Sequence, residues 1–326
     1  MSCDTSIRSH QPTSNLYGYA DVGHFGLAHS LLAWARCRLW TYDNNLPMLS
    51  PNWFHIRGRI GPHIRKERDK RQYQKLFRYP GYITGLPRLL LLGILPRVKA
   101  EEIDLSNGSS DGRRGLVVFS NSIVLNSEIY FKEIIGRHIE VRRFLMDITK
   151  PKYYPPRLSA PHIAIHIRLG DFSKGFTQDM LRSGNKNSRL PIDWYANLLR
   201  QLQRELQGAP AIVYSDGADA ALEGILRLPG VERAPRQSAI TDLLSIAQAK
   251  LLISSGSGFS QWGAFLGNVP RICFPGQRFI RVLGDPVGLD LEPECEEATD
   301  IPNELISHLQ SALQQAAPTE PVLHPR

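Results

Sequence analysis

The stretch HIAIHIRLGDF, residues 162–172, decides the fold class. Three isoleucines occupy alternate positions and share one face of a predicted β-strand: Ile163, Ile165 and Ile167. His166 and Arg168 lie on the opposite face, near the carboxyl end of that strand. Gly170 then permits a tight turn. A strand that ends in such residues is typical of the ligand-binding edge of an α/β sheet.

Strand and helix patterns alternate through the rest of the C-terminal half. Helical spacing marks IDWYANLLRQLQREL, ADAALEGILRL, ITDLLSIAQAK and FSQWGAFLG, whereas short apolar runs mark the strands AIVYSDG, LLIS and RICF. Ser238 or Thr241 is expected to cap the third of these helices. This alternation predicts a parallel sheet covered on both faces, with ligands bound beyond the carboxyl ends of its strands. The C-terminal half is therefore expected to be Rossmann-like.

The N-terminal half predicts a second α/β unit. GHFGLAHSLLAWARCRLW places glycines before a helix, Leu116 to Phe119 form a strand, and SEIYFKEIIGRHIEVRRFLMDI predicts one long amphipathic helix. The proline-rich stretch from Pro151 to Pro161 marks the predicted boundary. The predicted division is an acceptor-side domain over 1–155, a nucleotide-sugar-binding domain over 156–316 and a tail over 317–326.

Composition excludes several classes of protein. With 326 residues and 42% hydrophobic content, the chain is long enough for two cores. Its four cysteines form no C-x-x-C pair, which argues against a zinc cluster or a dense disulfide framework. The polar start predicts no signal peptide and a cytoplasmic location. LLLLGIL, residues 89–95, is too short to span a bilayer; core, dimer interface and membrane contact stay open, and core is the commonest role for such a run.

The formal net charge of +8 is concentrated in one segment, residues 57–99. Twelve of its residues are basic: Arg57, Arg59, Arg65, Lys66, Arg68, Lys70, Arg71, Lys75, Arg78, Arg88, Arg97 and Lys99. Glu67 and Asp69 are the acidic residues among them. The segment is either a solvated face or a patch that meets nucleic acid, an anionic membrane or a phosphorylated substrate.

Two predicted loops have the chemistry of a diphosphate site. Arg168 offers a planar fork that matches phosphate oxygens, and Asp171 could orient it; a purely structural ion pair between them is the alternative. The loop SSGSGFSQWGA places hydroxyls and glycines directly before a helix, where backbone N–H groups and the helix dipole favour an anion. Asp216 and Asp242 could accept from a ribose hydroxyl or a base N–H, or act as turn or capping residues.

Other familiar active-site motifs are missing from the sequence. It contains no G-x-x-x-x-G-K-[ST], no G-x-S-x-G and no H-E-x-x-H. It also lacks a D-x-D flanked by apolar strand residues, the arrangement that holds a metal against a sugar nucleotide. Metal-independent chemistry without a cofactor is therefore favoured.

Three segments resemble the peptides of the α-1,2-fucosyltransferase family, in the same order. HIRLGDF is similar to its H-x-R-x-G-D peptide, YSDG to the second peptide and ITDLLSIAQAKLLISSGSGFSQWGAFLG to the third. The resemblance covers Pro161 to about Pro275. It implies a GT-B-like fold of two Rossmann-like domains with the donor site in the C-terminal one. It also implies metal-free, inverting transfer of fucose from GDP-fucose to a sugar hydroxyl, in α-1,2 linkage.

The resemblance also implies roles for individual residues. Arg168 would bind the β-phosphate and stabilise departing GDP. His166, Gly170 and Asp171 would shape its loop. Ser257 and Ser260 would contact the diphosphate, and Asp216 or Asp242 would help to hold guanosine.

The N-terminal match is incomplete. The family carries G-x-x-G-N-Q, whereas this chain reads GHFGLAH, with Leu27 and Ala28 in place of the amides. The acceptor side is therefore open to change. His24 is the candidate catalytic base, with His29 as a second candidate or a helix-surface residue, because histidine titrates near neutral pH.

The expected acceptor is a bacterial surface polysaccharide, lipopolysaccharide or lipid-linked glycan. The basic segment suggests peripheral contact with an anionic inner membrane face. Two alternatives remain: a related transferase that uses another GDP-sugar, and a non-catalytic nucleic-acid-binding protein. The latter would use the aromatic residues interleaved with the basic segment, although no recognised RNA module is present.

Overall fold

The structure is a computed structural model that describes residues 15–23, 25–53, 73–102, 114–120, 131–156, 160–284, 287–293 and 301–314. The strands are β1 (Asn15–Asp21), β2 (Met48–Leu49), β3 (Arg97–Lys99), β4 (Arg114–Ser120), β5 (Ile163–Ile167), β6 (Ala211–Ser215), β7 (Val231–Arg233), β8 (Leu251–Ser254), β9 (Arg271–Cys273) and β10 (Asp290–Leu291). The α-helices are α1 (Leu27–Asp43), α2 (Gly85–Ile94), α3 (His138–Ile148), α4 (Gln178–Arg182), α5 (Ile192–Glu205), α6 (Asp219–Leu226), α7 (Ala239–Ile246), α8 (Gly258–Gly267) and α9 (Asn303–Gln314). Short 3₁₀ turns lie at Tyr73–Lys75, Ala100–Glu102, Pro151–Tyr153 and Val287–Leu289.

The N-terminal half contains a four-stranded parallel sheet in the order β2-β1-β4-β3. Alternate residues of β4 face opposite sides: Val117 and Phe119 enter the large core, whereas Leu116 joins a small cluster on the other side. Gly18 lets α1 approach this sheet closely, because a Cβ there would collide with Thr41. Helix α1 therefore covers the inner face and presents its amino end at the carboxyl edge of the sheet.

The C-terminal half contains a six-stranded parallel sheet in the order β10-β9-β8-β5-β6-β7. The chain starts in the middle at β5, builds outward to β7, and then returns to the other side of β5 to build β8 through β10. This is the strand order of Rossmann folds. The predicted alternation in β5 is confirmed, because its isoleucines join one buried cluster while Ala164 joins the other.

The two halves share a core. Trp262 in α8 donates its indole N–H to the carbonyl oxygen of Ala28 in α1, at 2.7 Å. Phe131 packs against Trp262 and Phe265, with ring centroids 5.2 and 5.4 Å apart. The indole hydrogen bond holds the amino end of α1 against the middle of α8. The predicted α/β, GT-B-like class with two Rossmann-like halves is confirmed by these sheets and the cleft between them.

One sequence expectation is wrong in detail, and one that was left open is answered in part. The helix expected over SEIYFKEIIGRHIEVRRFLMDI begins only at His138, because Gly136 has a φ of 83°, which a right-handed helix does not continue. Residues 131–136 form turns, and residues 121–130 lie outside the described residues. The leucine-rich run is core only in part: Leu95 is buried in a small cluster with Leu49 and Leu116, and Leu91 and Leu92 pack against that cluster. Leu89, Leu90 and Ile94 of the same run stay exposed.

Other expectations stay predictions. The domain boundaries over 1–155 and 156–316 fall between the two sheets, and the tail over 317–326 lies outside the described residues. The first part of the basic segment, residues 57–72, which contains seven of its twelve basic residues, also lies outside them. Within the described part, no helix is both long and apolar enough to cross a membrane.

Candidate active site

A cleft of about 770 Å³ lies between the two halves, at the carboxyl edge of the six-stranded sheet. Its position follows from the strand order, because β5 and β8 are neighbours whose following connections diverge to opposite sides. In parallel α/β sheets, ligands bind at such a switch point. Arg168 follows β5 and Ser255 follows β8, so the two loops that the sequence singled out meet there.

Arg168 is held by two carboxylates at the floor of the cleft. Its Nη2 and Nε atoms lie 2.7 and 3.1 Å from Oδ1 of Asp171. Its Nη1 atom lies 2.8 Å from Oδ2 of Asp216. The side chain keeps 28% of its surface exposed, so the guanidinium is oriented while one side still faces the cleft. The proposed orienting role of Asp171 agrees with this geometry.

Asp216 also fixes the backbone of the Arg168 loop. Its Oδ1 accepts the N–H of Leu169 at 2.8 Å, and its Oδ2 accepts the N–H of Gly170 at 3.0 Å. A Cβ at residue 170 would collide with this carboxylate, so only glycine permits the approach. Asp216 therefore positions the loop, and its oxygens are already engaged by three donors.

His166 lies beneath the cleft in a network of serine hydroxyls. Its Nδ1 atom is 2.7 Å from Oγ of Ser260 and 3.0 Å from Oγ of Ser255. Its ring stacks on Phe259, with centroids 5.0 Å apart. Burial, together with the neighbouring charge of Arg168, lowers the pKa of His166 to about 3. The imidazole is therefore neutral at physiological pH and connects β5 to the loop after β8.

The serine loop forms the amino end of α8. Ser257 is its N-cap and accepts the N–H of Ser260 at 3.2 Å. The first-turn N–H groups of Gly258 and Phe259 have no helical carbonyl to bond and lie where the helix dipole favours an anion. Ser257 lines the cleft, whereas Ser260 is fully buried below it. Of the two predicted serine contacts, only Ser257 reaches the cleft surface.

The cleft extends to the amino end of α7. Asp242, in the first turn of α7, lines it together with Tyr214 and Gln237. Burial raises the pKa of Tyr214, and the nearby charge of Asp242 raises it further. Ser238 is the N-cap of α7 and accepts the N–H of Thr241. Of the two expected capping residues, Ser238 and Thr241, the first is therefore the cap. Asp242 is therefore not needed as a cap.

The N-terminal wall of the cleft comes from the loop before α1 and its first turn. Phe25 is 46% exposed and stacks on His29, with centroids 5.9 Å apart and planes at 23°. Leu27 and Ala28, which replace the amides of the resembled family, are buried. His24, the predicted catalytic base, lies outside the described residues.

The cleft brings together most of the predicted site residues: His166, Arg168, Gly170, Asp171, Asp216, Asp242 and Ser257. Sequence analysis missed Phe172, over which Arg168 lies 5.8 Å from the ring centroid. It also missed Arg233, which lines the cleft and donates to the carbonyl oxygen of Gly217 at 2.6 Å. Phe172 directly follows the H-x-R-x-G-D peptide, so its position in the sequence could have identified it. Arg233 belongs to the three-residue strand β7, and no sequence motif surrounds it.

Among the residues that the structure describes, no three or more His, Cys, Asp or Glu side chains cluster in a way that could hold a metal ion. The expectation of metal-independent chemistry stays a prediction.

Comparisons with known proteins give distant structural likenesses. No family model matches the chain, and no curated protein matches it. The chain is similar to the α-1,6-fucosyltransferase NodZ from Bradyrhizobium, soaked with GDP-fucose, at 13% identity over 79% of this chain and 94% of that chain, with a TM-score of 0.45. The chain is also similar to a mutant of Arabidopsis thaliana FUT1 in complex with GDP, at 12% identity over 79% of this chain and 70% of that chain, with a TM-score of 0.45. For POFUT1 in complex with GDP, the identity is 11% over 81% of this chain and 98% of that chain, and the TM-score is 0.38. At these identities and scores, function has to be argued from the site itself.

Proposed function

We propose that this protein is a glycosyltransferase that transfers fucose from GDP-fucose to a sugar hydroxyl. One observation carries the proposal: at the switch point of a Rossmann-type sheet, a guanidinium oriented by Asp171 and Asp216 lines the same cleft as the amino end of α8. A planar cation and a helix amino end on one cleft are complementary to a diphosphate. The family resemblance of the three peptides supports the choice of donor sugar.

Arg168 would act on the leaving group. The acceptor oxygen attacks C1 of the sugar, the bond from C1 to the β-phosphate oxygen breaks, and the electron pair of that bond moves to the phosphate. A preoriented cation lowers the energy of this charge without reorganising during the reaction. The N–H groups at the start of α8 would hold the diphosphate from the other side. Single displacement inverts the anomeric configuration.

Asp242 would select guanine. Its carboxylate can accept both the N1–H and the N2–H of guanine, whereas adenine has no such pair of adjacent donors on that edge. Asp216 was the other candidate for this role, but it is engaged by Arg168 and by two backbone N–H groups. The geometry therefore favours Asp242 for base recognition and Asp216 for loop positioning.

The acceptor would enter along the N-terminal wall. There the exposed ring of Phe25 and the imidazole of His29 offer a surface for a sugar. The proton of the attacking hydroxyl has to be accepted; His29, on this wall, and His24 are the candidate bases. The α-1,2 linkage and a surface polysaccharide or lipopolysaccharide acceptor are part of the proposal, with the cytoplasm as the site of synthesis.

Titration of GDP, GDP-fucose, GDP-mannose and UDP-glucose tests the donor site, by calorimetry and in the presence of EDTA. We expect both GDP and GDP-fucose to bind, and Arg168→Ala to weaken this binding by about a hundredfold or more. Arg200→Ala, on the exposed face of α5 and outside the cleft, is the charge-matched control. If no GDP species binds, the proposed donor is wrong. Tighter binding of GDP-mannose than of GDP-fucose would support the alternative transferase.

A coupled assay for released GDP then tests transfer. We expect fucose to appear on a galactoside acceptor with inverted configuration, read by NMR. Binding of oligonucleotides that is salt-sensitive and unaffected by GDP would instead favour the nucleic-acid alternative.

A further inference from the structure

Helix α2 has its apolar side facing outward. Four large side chains spaced i, i+3, i+4 and i+8 share its outer face and are between 55% and 68% exposed: Leu86, Leu89, Leu90 and Ile94. They account for four of the nine large apolar side chains that stand exposed among the described residues. Scattered exposed apolar residues are ordinary, but four on one helix face form a patch.

The inner side of α2 shows why the helix stays in this orientation. Leu91 and Leu92 are half-buried against the small cluster that contains Leu49 and Leu116. Arg88 turns inward, where its Nε donates to the carbonyl oxygen of Ser50 at 2.7 Å and its guanidinium lies 5.7 Å from the ring centroid of Tyr19. The helix is therefore fixed to the sheet by one arginine and two leucines, while its four most exposed apolar side chains stay outside.

Positive charge borders the patch at the carboxyl end of α2. Arg97 is exposed, and its Nη2 donates to the carbonyl oxygen of Leu92 at 3.1 Å. Arg114, also exposed, begins the neighbouring strand; because Arg97 pairs with Leu116, Arg114 lies on the same edge of the sheet. Lys99 is offset by Glu102, at 3.7 Å, so the two arginines supply the charge at this edge.

We infer that this face, the outer side of α2 with Arg97 and Arg114, binds the surface of an anionic membrane. Apolar side chains that enter the interface and arginines that contact anionic headgroups are the two components of peripheral membrane binding. A second copy of the chain fits less well. A ten-residue helix is about 15 Å long and about 10 Å wide, so its outer face is much smaller than the roughly 800 Å² that each partner buries in a typical specific interface.

The surface does not overlap with the cleft. Its residues belong to the outer side of the four-stranded sheet, whereas the residues of the cleft lie at the junction of the two halves. Membrane binding and donor binding can therefore be lost separately, and failure of one does not imply failure of the other.

The test is flotation of the full-length protein with vesicles of phosphatidylcholine alone or mixed with phosphatidylglycerol. We expect binding to the mixed vesicles, and Leu89→Gln with Leu90→Gln to reduce the partition coefficient about tenfold or more. Ile139→Gln is the matched control, because Ile139 is 72% exposed on another helix, α3. Arg97→Gln with Arg114→Gln should weaken binding to mixed vesicles several-fold, and Arg200→Gln should not.

Each contrary result has one meaning. Failure of the wild type to bind mixed vesicles would overturn the inference. So would a leucine variant that binds as tightly as the wild type, since binding would then be electrostatic only. Sedimentation velocity completes the set: a wild-type dimer that the leucine substitutions dissociate would show that the face binds a second copy. Urea denaturation of the leucine variant should match that of the wild type, which shows that the variant is folded.

Discussion

Asp216 joins the ends of two neighbouring strands by bonding both the side chain of Arg168 and the backbone that follows it. The ion pair between Nη1 of Arg168 and Oδ2 of Asp216 measures 2.8 Å, and the carboxylate accepts two consecutive backbone N–H groups. Because β5 and β6 are paired in register, these bonds fix where the guanidinium lies before any ligand arrives. Preorientation of this kind is what a leaving-group cation requires.

Substitution of Asp216 by asparagine should destabilise the protein and weaken donor binding. In the asparagine side chain, an NH₂ group replaces one of the two acceptor oxygens and faces the donors that this oxygen bonded. At least one N–H of Arg168, Leu169 or Gly170 then loses its acceptor. We expect a loss of about 1–3 kcal/mol in the free energy of unfolding, measured by urea denaturation, and weaker binding of GDP in calorimetry. Glu223→Gln, which removes an exposed pair with Arg227, should change neither. Unchanged stability of Asp216→Asn would contradict the positioning role.

Substitution of Gly170 by alanine should disrupt the same site by steric overlap alone, without changing any charge or hydrogen-bonding group. The added Cβ would meet the carboxylate of Asp216. We expect the loop to shift at a cost of about 1–3 kcal/mol, with loss of GDP binding measured by thermal shift. Gly224→Ala provides the control, because a Cβ there lies 3.6 Å from the nearest side-chain atom and α6 is helical at that point. That variant should be neutral or more stable, since alanine favours helix.

The peptides around the cleft were predictable because their chemistry follows secondary-structure boundaries. Period-two spacing identified β5, and a glycine-serine loop before a helix identified the amino end of α8; parallel strands then bring both to one edge. What the sequence did not show was which groups bond each other. Asp216 and Leu169 are 47 residues apart, and nothing local indicates that this aspartate positions a loop and does not contact a base. Ser260 likewise has the spacing of a ligand contact but is buried against His166.

Helix α2 illustrates a different gap between sequence and structure. Its leucines predict an apolar surface, but periodicity does not say whether another element covers that surface. Helix α1 covers one face of the four-stranded sheet. On the other face, Leu91, Leu92 and Arg88 fix α2 to the sheet. The role of the outer leucines stayed open at the level of the sequence, because hydrophobicity alone does not distinguish a buried face from an exposed one.

The buried His166 should make stability depend on pH. Its pKa in the folded protein is lowered to about 3, whereas an unfolded imidazole titrates near 6.5. Between these values the unfolded state binds a proton that the folded state does not, so stability is fully present above about pH 6.5 and falls as the pH decreases. His162, with its pKa lowered to about 4 by burial, acts in the same direction. From about pH 7 to pH 5, His166 alone should contribute a loss of about 2 kcal/mol.

Urea denaturation across this pH range checks the effect. His166→Gln should remove about half of the pH-dependent loss, even though the variant is less stable at neutral pH. Ser260→Ala takes away the hydroxyl 2.7 Å from Nδ1 but keeps the imidazole, so it should lower stability and leave the pH dependence in place. If His166→Gln and the wild type show the same slope, the imidazole is not buried in its neutral form.

Asp242 should determine the choice of base at the far end of the cleft. Guanine offers the carboxylate two donors, N1–H and N2–H, and hypoxanthine offers only N1–H. We therefore expect the wild type to bind GDP at least about tenfold more tightly than inosine diphosphate, since a hydrogen bond to a charged group contributes about 1.5–3 kcal/mol. In Asp242→Asn the two ligands should bind almost equally, because a neutral amide oxygen accepts only one of the donors. Calorimetric titration of both nucleotides measures the ratio, and Asp193→Asn, at the exposed start of α5, is the matched control. A GDP preference that survives Asp242→Asn would assign base recognition to another group on that wall, such as Gln237.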